Sequence, residues 1–269
     1  LFPYTTLFAI SRPSFTIGTP PPPPTVSTIV PSSGPTAGGT AVTITGTNLS
    51  STTSVTFGGT AATSFTVGSA TQVTATTPAH AAGAVDVVVT TSGGSATSTA
   101  GFTFVAPMPT IASVAPSSGS TLGGTTVTIT GANLSGATVA TFGGTPVTSL
   151  TVISAAQVRV TTPAHAAGAV DVAVTTPGGT ATKTTAFTFV IPTPTIATVA
   201  PASGSTLGGT TVTITGTNLT GASAVTFGGT AAASFTVDSA TQVTATTPAH
   251  AAGAVNVAVT TPGGTATRT

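Results

Sequence analysis

Short stretches in which apolar and polar residues alternate run along the whole chain. In the first hundred residues, the apolar positions of these stretches are Val42, Ile44, Val73, Ala75, Val85, Val87 and Val89. A period of two predicts β-strands that turn one face to a core and the other to water. With 25–30 and 102–105 added, the pattern predicts about seven short strands in some 80 residues, and no helical period occurs.

Turn residues separate these stretches. The predicted turns are Gly58-Gly59, Gly93-Gly94 and the Pro-Ser-Ser-Gly of residues 31–34, because glycine accepts a left-handed backbone and proline fixes φ. Seven short strands joined by such turns are typical of a two-sheet sandwich. The predicted fold class is therefore all-β, an immunoglobulin-like β-sandwich.

The whole pattern occurs three times with a period of 85 residues. Its clearest markers are the Gly-Gly-Thr segments that begin at Gly38, Gly123 and Gly208 and the Pro-Ala-His segments that end at His80, His165 and His250. Solenoid repeats are about 20–50 residues long, whereas this period is the length of a complete small domain. We therefore predict beads on a string, with a tail at 1–25, repeats at 26–106, 107–191 and 192–269, and stiff Pro-x-Pro joints.

The two ends of the sequence are out of phase with the repeats. Thr269 stands at the position of Thr184, so we expect the third repeat to lack its last strand, the counterpart of 186–190. Ser14–Gly18 matches the closing segment 101–105 and predicts the remnant of a preceding repeat. One hypothesis is a fragment of a longer array; the other is head-to-tail self-association, with Ser14–Gly18 of one copy closing the third repeat of another.

The first eight residues match neither the repeats nor a signal peptide, because they lack a basic start and a long enough apolar stretch. Two interpretations stay open for them: a natural linker, or translated adapter sequence.

Composition excludes several classes of function. Charged residues are 3% of the chain, the net charge is +1, and no two basic residues are neighbours, which argues against a nucleic-acid partner. No apolar run approaches the ~18 residues of a membrane span. Cysteine is absent, so disulfides, thiol nucleophiles and cysteine-ligated metals are excluded.

Three histidines and three aspartates are the candidates for chemistry. His80, His165 and His250 recur once per repeat, which invites a metal interpretation, but one imidazole without a carboxylate beside it cannot close a site. Asp86 and Asp171 share a repeat position with Asn256, and Asp238 is alone in its loop. Calcium takes about 6–8 oxygen ligands, so we expect no metal, and we expect the histidines to pack in their loops or face solvent.

Catalysis lacks the residues that it needs. Glycoside hydrolysis takes a pair of carboxylates, and each repeat has only one. The third repeat has Asp238, but Asn256 stands at the position of Asp86 and Asp171. Hydroxyl nucleophiles need a positioned base, and no strained nucleophile elbow occurs in the sequence. We therefore expect no catalytic residue and no cofactor.

Each repeat carries an Asn-Leu-Ser/Thr sequon, at Asn48, Asn133 and Asn218. Glycosylation is one interpretation. The other, which we favour, is that asparagine is used here because it tolerates a left-handed backbone in a turn.

A set of motifs in fixed order links the repeats to a known family. In the second repeat they are Pro116-Ser117-Ser118-Gly119, Gly123-Gly124-Thr125, Val127-Thr128-Ile129-Thr130-Gly131-Ala132-Asn133-Leu134, Thr141-Phe142-Gly143-Gly144 and Phe187-Thr188-Phe189. In order and spacing they resemble the IPT/TIG family, three times over about 26–269. The resemblance implies an early-branching immunoglobulin-like module, found in plexin-type receptors, dimerising transcription factors, beside starch-active enzymes and in bacterial surface proteins. The last branch is the most similar, because DNA-contacting basic loops and a glycosidase domain are missing here.

Two functions from different classes follow. The array is either a structural stalk in an extracellular or cell-surface protein, or a set of adhesin modules that bind carbohydrate or a cell-surface protein. Sugar platforms stack on exposed aromatic rings, but the chain has no Trp, its one Tyr is Tyr4, and its Phe residues in the repeats stand at strand positions predicted to be core. The sequence therefore favours the stalk.

Overall fold

The computed structural model describes residues 18–269, in two compact units that meet in the sequence at Pro107 and Met108. The first unit holds one repeat and the second holds two. No helix occurs among residues 18–269, so none of the described chain forms a helix that could cross a bilayer. The hypothesis for Ser14–Gly18 concerns residues of which 14–17 lie outside the described part.

The repeat of the first unit is a sandwich of two sheets. Its strands are β1 Thr25–Val30, β2 Ser33–Pro35, β3 Ala41–Thr47, β4 Thr52–Phe57, β5 Thr60–Ala61, β6 Ser64–Ser69, β7 Gln72–Thr76, β8 Gly83–Thr91 and β9 Gly94–Val105. One sheet has the order β1-β3-β7-β6 and the other β2-β9-β8-β4-β5. All pairings are antiparallel except that of β2 with β9.

The alternating apolar residues meet between these sheets. On β3, Val42 and Ile44 are buried and lie opposite Ala75 and Val73 of β7. Val87 and Val89 of β8 line the other side of the same cluster, and the rings of Phe57, Phe102 and Phe104 fill it edge to face. A period of two thus places one face of each strand in a single core.

The predicted register of β8 is confirmed. Asp86 is exposed, Val87 is buried, and Val85 is half-buried against the core. Val85 is less covered than we expected because a β-bulge separates it from Val87 in the pairing with β9. Asp171 and Val172 of the second repeat follow the same pattern.

The second repeat has the same plan. Its strands are β10 Thr110–Ala115, β11 Ser118–Ser120, β12 Thr126–Ala132, β13 Val139–Phe142, β14 Thr145–Pro146, β15 Ser149–Ser154, β16 Gln157–Thr161, β17 Gly168–Thr176 and β18 Gly179–Val190. The sheets have the orders β10-β12-β16-β15 and β11-β18-β17-β13-β14.

The third repeat keeps one sheet and shortens the other. Its strands are β19 Thr195–Ala200, β20 Thr211–Thr217, β21 Ala224–Phe227, β22 Thr230–Ala231, β23 Ser234–Ser239, β24 Gln242–Thr246, β25 Val257–Thr261 and β26 Gly264–Arg268. The first sheet, β19-β20-β24-β23, matches the other repeats, whereas the second, β22-β21-β25-β26, has four strands in place of five. Each of the three repeats has its own hydrophobic cluster.

Two sequence predictions need correction. The closing segments at 102–105 and 186–190 are not separate strands but the second halves of the 12-residue strands β9 and β18, so the third repeat lacks half of a strand and not a whole one. Residues 31–34 do not form only a turn, because Ser33 and Gly34 begin β2. Turn chemistry could not reveal this strand, since its partner on β9 lies about 70 residues away.

Candidate functional site

The recurring histidines pack on the closing strands. The imidazole of His80 stacks on Phe104 with 4.9 Å between ring centroids, and His165 stacks on Phe189 at 4.8 Å. Each Nδ1 lies 2.9 Å from the carbonyl oxygen of the next residue, Ala81 or Ala166. Of the two predicted environments, packing and solvent exposure, these two histidines have the packed one, against the closing strand as well as within the loop.

The recurring aspartates accept hydrogen bonds from the backbone of the same closing strands. The backbone N–H of Ala100 donates to Oδ1 of Asp86 at 2.8 Å, and that of Thr185 donates to Asp171 at 2.8 Å. Ala100 and Thr185 have φ of 50° and 46°, a conformation that costs a residue with a Cβ. The carboxylate therefore fixes the irregular residue at which the last strand turns to its closing half.

The third repeat has a cleft where the other repeats have this closing half. The cleft has a volume of about 590 Å³ and is lined by Gly204, Phe227, His250, Val255, Val257 and Arg268, among others. Phe227 and Val257 are 5% and 7% exposed, whereas their counterparts in the first two repeats are fully buried. His250 keeps its contact with the Ala251 carbonyl oxygen, but no ring stacks on it among the described residues.

Two backbone segments border the cleft. In the second repeat, β11 runs parallel to 188–190 on one side, and 168–170 of β17 runs antiparallel to 187–189 on the other. Their counterparts in the third repeat, 203–205 and 253–255, are not strands. The cleft therefore lies at the position that the second half of β18 fills in the second repeat.

The sequon asparagines join each repeat to the linker before it. Asn48, Asn133 and Asn218 have φ of 58°, 58° and 56°, which confirms the predicted left-handed turn. The side-chain Nδ2 of Asn48 donates to the Pro23 carbonyl oxygen at 2.9 Å, and the other two donate to Met108 and Thr193 at 2.8 Å. The nitrogen that would carry a glycan therefore donates a hydrogen bond in each of the three turns. Glycosylation itself stays untested.

The prediction that the Phe residues are core is wrong for one of them. Phe65 on the edge strand β6 is 36% exposed, and its counterparts Leu150 and Phe235 are half-buried. β6 and its counterparts are the outer strands of their sheets, so the second sheet covers them less than the inner strands. The period of two cannot distinguish an edge strand from an inner one, and sequence reasoning missed this exposed ring for that reason.

Asp238 is the one carboxylate with a different environment. It replaces Gly68 and Ile153 of the other repeats and accepts hydrogen bonds from the hydroxyls of Thr244 at 2.6 Å and Thr236 at 3.2 Å and from Gln242 at 3.2 Å. These bonds, that of Thr244 first, hold the pKa of Asp238 below its ordinary value of 3.8. Within residues 18–269, no group of three His, Asp or Glu side chains is placed to hold a metal ion.

All three repeats match the model of one known family. The model of the IPT/TIG domain matches residues 24–106, 109–190 and 194–269. The chain belongs to the IPT/TIG family. This confirms the resemblance and the tandem immunoglobulin-like fold predicted from the sequence.

Other comparisons place these IPT/TIG repeats among known proteins. No functionally curated protein matches the chain. Among solved structures, a protein crystallised with a xylogluco-oligosaccharide is 20% identical over 91% of this chain and 59% of its own, with a TM-score of 0.44. The plexin A4 extracellular region is 27% identical over 86% and 21%, with a TM-score of 0.34. A surface glycan-binding protein of Prevotella bryantii is 19% identical over 62% and 42%, with a TM-score of 0.43. The chain spans less than two thirds of the length of each of these proteins.

Proposed function

We propose that the three IPT/TIG repeats form a non-catalytic stalk in an extracellular or cell-surface protein. The repeats act as stiff spacers with cores of their own, and the Pro-x-Pro joints keep neighbouring repeats apart. The partner in this proposal is a domain that the stalk carries. The sequence has no cluster of basic residues of the kind that a nucleic-acid partner needs.

One observation carries the proposal. In the first two repeats, the side chains that recur and could do chemistry, the histidine and the aspartate, contact the closing strand. His80 stacks on Phe104, and Asp86 binds the backbone of Ala100 at the bulge of β9. The fold itself accounts for the placement of these side chains, and this favours a stalk over a substrate site.

A second candidate function rests on Phe65. An exposed aromatic ring on an outer strand is the chemistry that stacks on the face of a sugar. We therefore keep carbohydrate binding as the alternative, restricted to the first repeat.

Affinity electrophoresis of the full chain in gels that contain plant or bacterial polysaccharides separates the two candidates. The stalk proposal expects unchanged mobility in each gel. Retardation that Phe65→Ala removes and the matched Phe235→Ala retains would replace the stalk by the carbohydrate-binding alternative.

The stalk also has a positive test in small-angle X-ray scattering. Chains with one, two and three repeats should increase in maximum dimension by a constant step. A maximum dimension that stays nearly constant as repeats are added would overturn the stalk.

A further inference from the structure

The linker before each repeat is bound by the repeat that follows it. In the first repeat, Nδ2 of Asn48 donates to the carbonyl oxygen of Pro23, and the next residue, Pro24, is buried although it precedes β1. A proline fixes its own φ and restricts the residue before it to extended conformations, so these contacts set the direction of the linker as well as its position. The same contacts recur in the other two repeats, as Asn133 with Met108 and the buried Pro109, and as Asn218 with Thr193 and the buried Pro194.

A glycine of the last hairpin forms the other side of this binding site. Gly93 follows β8 and Gly263 follows β25, and neither has a left-handed φ, whereas the glycine after each of them has φ of 128° or 127°. A Cβ built on Gly93 would collide with the carbonyl oxygen of Pro22, and one built on Gly263 would collide with that of Pro192. The first glycine of the hairpin is therefore needed because the linker passes over it, and not because of its backbone conformation.

The joint between the second and third repeats has almost no free residues. β18 ends at Val190, and Pro192 already lies on the hairpin glycine of the third repeat. Only Ile191 separates the last strand of one repeat from the bound linker of the next, and its position before a proline restricts its backbone further. The freedom of this joint is therefore that of one residue for as long as the linker stays bound.

We propose that each repeat carries a binding site for the extended, proline-containing linker before it, and that this site fixes the angle between neighbouring repeats. The sequon asparagine and the first hairpin glycine are its two sides. A glycine could also form the left-handed turn at Asn218, but only a side chain reaches the linker carbonyl. The inference rests on the proposed stalk and deepens it, because the stiffness of the joint then comes from a contact and not from the prolines alone.

Distances between two spin labels on the full chain test the proposal. The chain has no cysteine, so labels can be attached through Ala155→Cys and Ala240→Cys, two exposed alanines at the same turn of the second and third repeats. Double electron–electron resonance should give a single narrow distance peak for the labelled chain. Asn218→Gly keeps the left-handed turn and removes the side chain, and it should abolish the narrow peak. Gly263→Ala, which displaces the linker from the hairpin, should do the same.

The matched control is Asn256→Ala, which removes an exposed asparagine side chain of the same repeat outside the linker contact and should leave the peak unchanged. Hydrogen exchange of the core strands β20 and β24 should stay the same in all these variants. Broadening that comes with faster exchange of these strands would overturn the proposal, because the repeat itself would then have been lost.

A narrow peak that survives both Asn218→Gly and Gly263→Ala would also overturn the proposal, as would a broad distribution in the chain without these two changes. The stalk and the linker site fail separately. A constant increase of the maximum dimension per repeat, together with a peak that neither variant broadens, would reject the linker site and leave the stalk.

Discussion

The second and third repeats have nearly the same sequence, and they differ in one sheet. The inner pairs of the first sheet keep one register, with Ile129 opposite Val158 in the second repeat and Ile214 opposite Val243 in the third. In the other sheet, β18 has 12 residues and β26 has 5. The first sheet therefore forms without the closing half-strand, whereas the second depends on it.

Identical tripeptides show how far this dependence goes. Ser-Gly-Ser is the strand β11 at 118–120 but irregular at 203–205, and Gly-Ala-Val begins β17 at 168–170 but is irregular at 253–255. Both segments pair with the closing half of β18 in the second repeat. Their strand conformation comes from this partner and not from their own residues, because a segment forms a strand only when its backbone can bond to an adjacent strand.

The largest effect should come from completing the third repeat. With Thr-Ala-Phe-Thr-Phe-Val added after Thr269, two Phe and one Val become buried, at about 1.5–3 kcal/mol each as an upper estimate. We expect hydrogen exchange of β25 and of 253–255 to slow to the level of β17, with 203–205 becoming protected as β11 is. Unchanged exchange in these segments would show that the closing half-strand does not explain the difference between the repeats.

Removing a buried ring from the closing half of β18 should destabilise the second repeat. Phe187 is fully buried and packs edge to face on Phe142 at 4.9 Å, so Phe187→Ala should destabilise this repeat by about 3–5 kcal/mol. Hydrogen exchange of β17 and β11 should rise toward that of the third repeat. The inner strands β12 and β16 should remain more protected, and exchange of β24 in the third repeat serves as the control.

A smaller effect is expected at the position where the second repeat has an aspartate and the third repeat has an asparagine. Asp171→Ala removes the hydrogen bond that holds Thr185 at its positive φ, at a cost of about 1–2 kcal/mol because the carboxylate is exposed. Asn256→Ala, the matched change in the third repeat, should have almost no effect, since the residue that Asp171 holds has no counterpart there. Thermal unfolding measured by circular dichroism compares the two variants, and equal losses would contradict this role of the aspartate.

The smallest effect should be the contribution of Asp238 to the pH dependence of stability. The second repeat lacks this contribution because Ile153 occupies the position. The pKa of Asp238 lies below 3.8 in the folded chain, so its contribution to stability is present above that pH and is lost as the pH falls through the folded pKa. Thr244→Val removes the strongest of its hydrogen bonds and should move the pKa back toward the ordinary value. NMR titration of the Asp238 carboxyl carbon measures both values, and an unchanged pKa in the variant would contradict this cause.

The sequence by itself determined the parts of this protein that depend on neighbouring residues. The period of two placed Val42, Ile44 and Val87 in the core, and the Gly-Gly and Asn turns gave the left-handed positions. The 85-residue period and the motif order were enough to assign the IPT/TIG family. These features follow from local sterics and from the burial of one strand face, which a single sequence contains.

Only the tertiary structure decided the features that depend on a distant partner. β2 is a strand because it pairs with β9, and Phe65 is exposed because it lies on an outer strand. His80 stacks on Phe104, and a cleft lies between 203–205 and 253–255. Each of these depends on which strands lie side by side, and strands far apart in the chain become neighbours only when the sheets form. The same Ser-Gly-Ser and Gly-Ala-Val are therefore strands in one repeat and irregular in the next, because backbone pairing belongs to two segments and not to one.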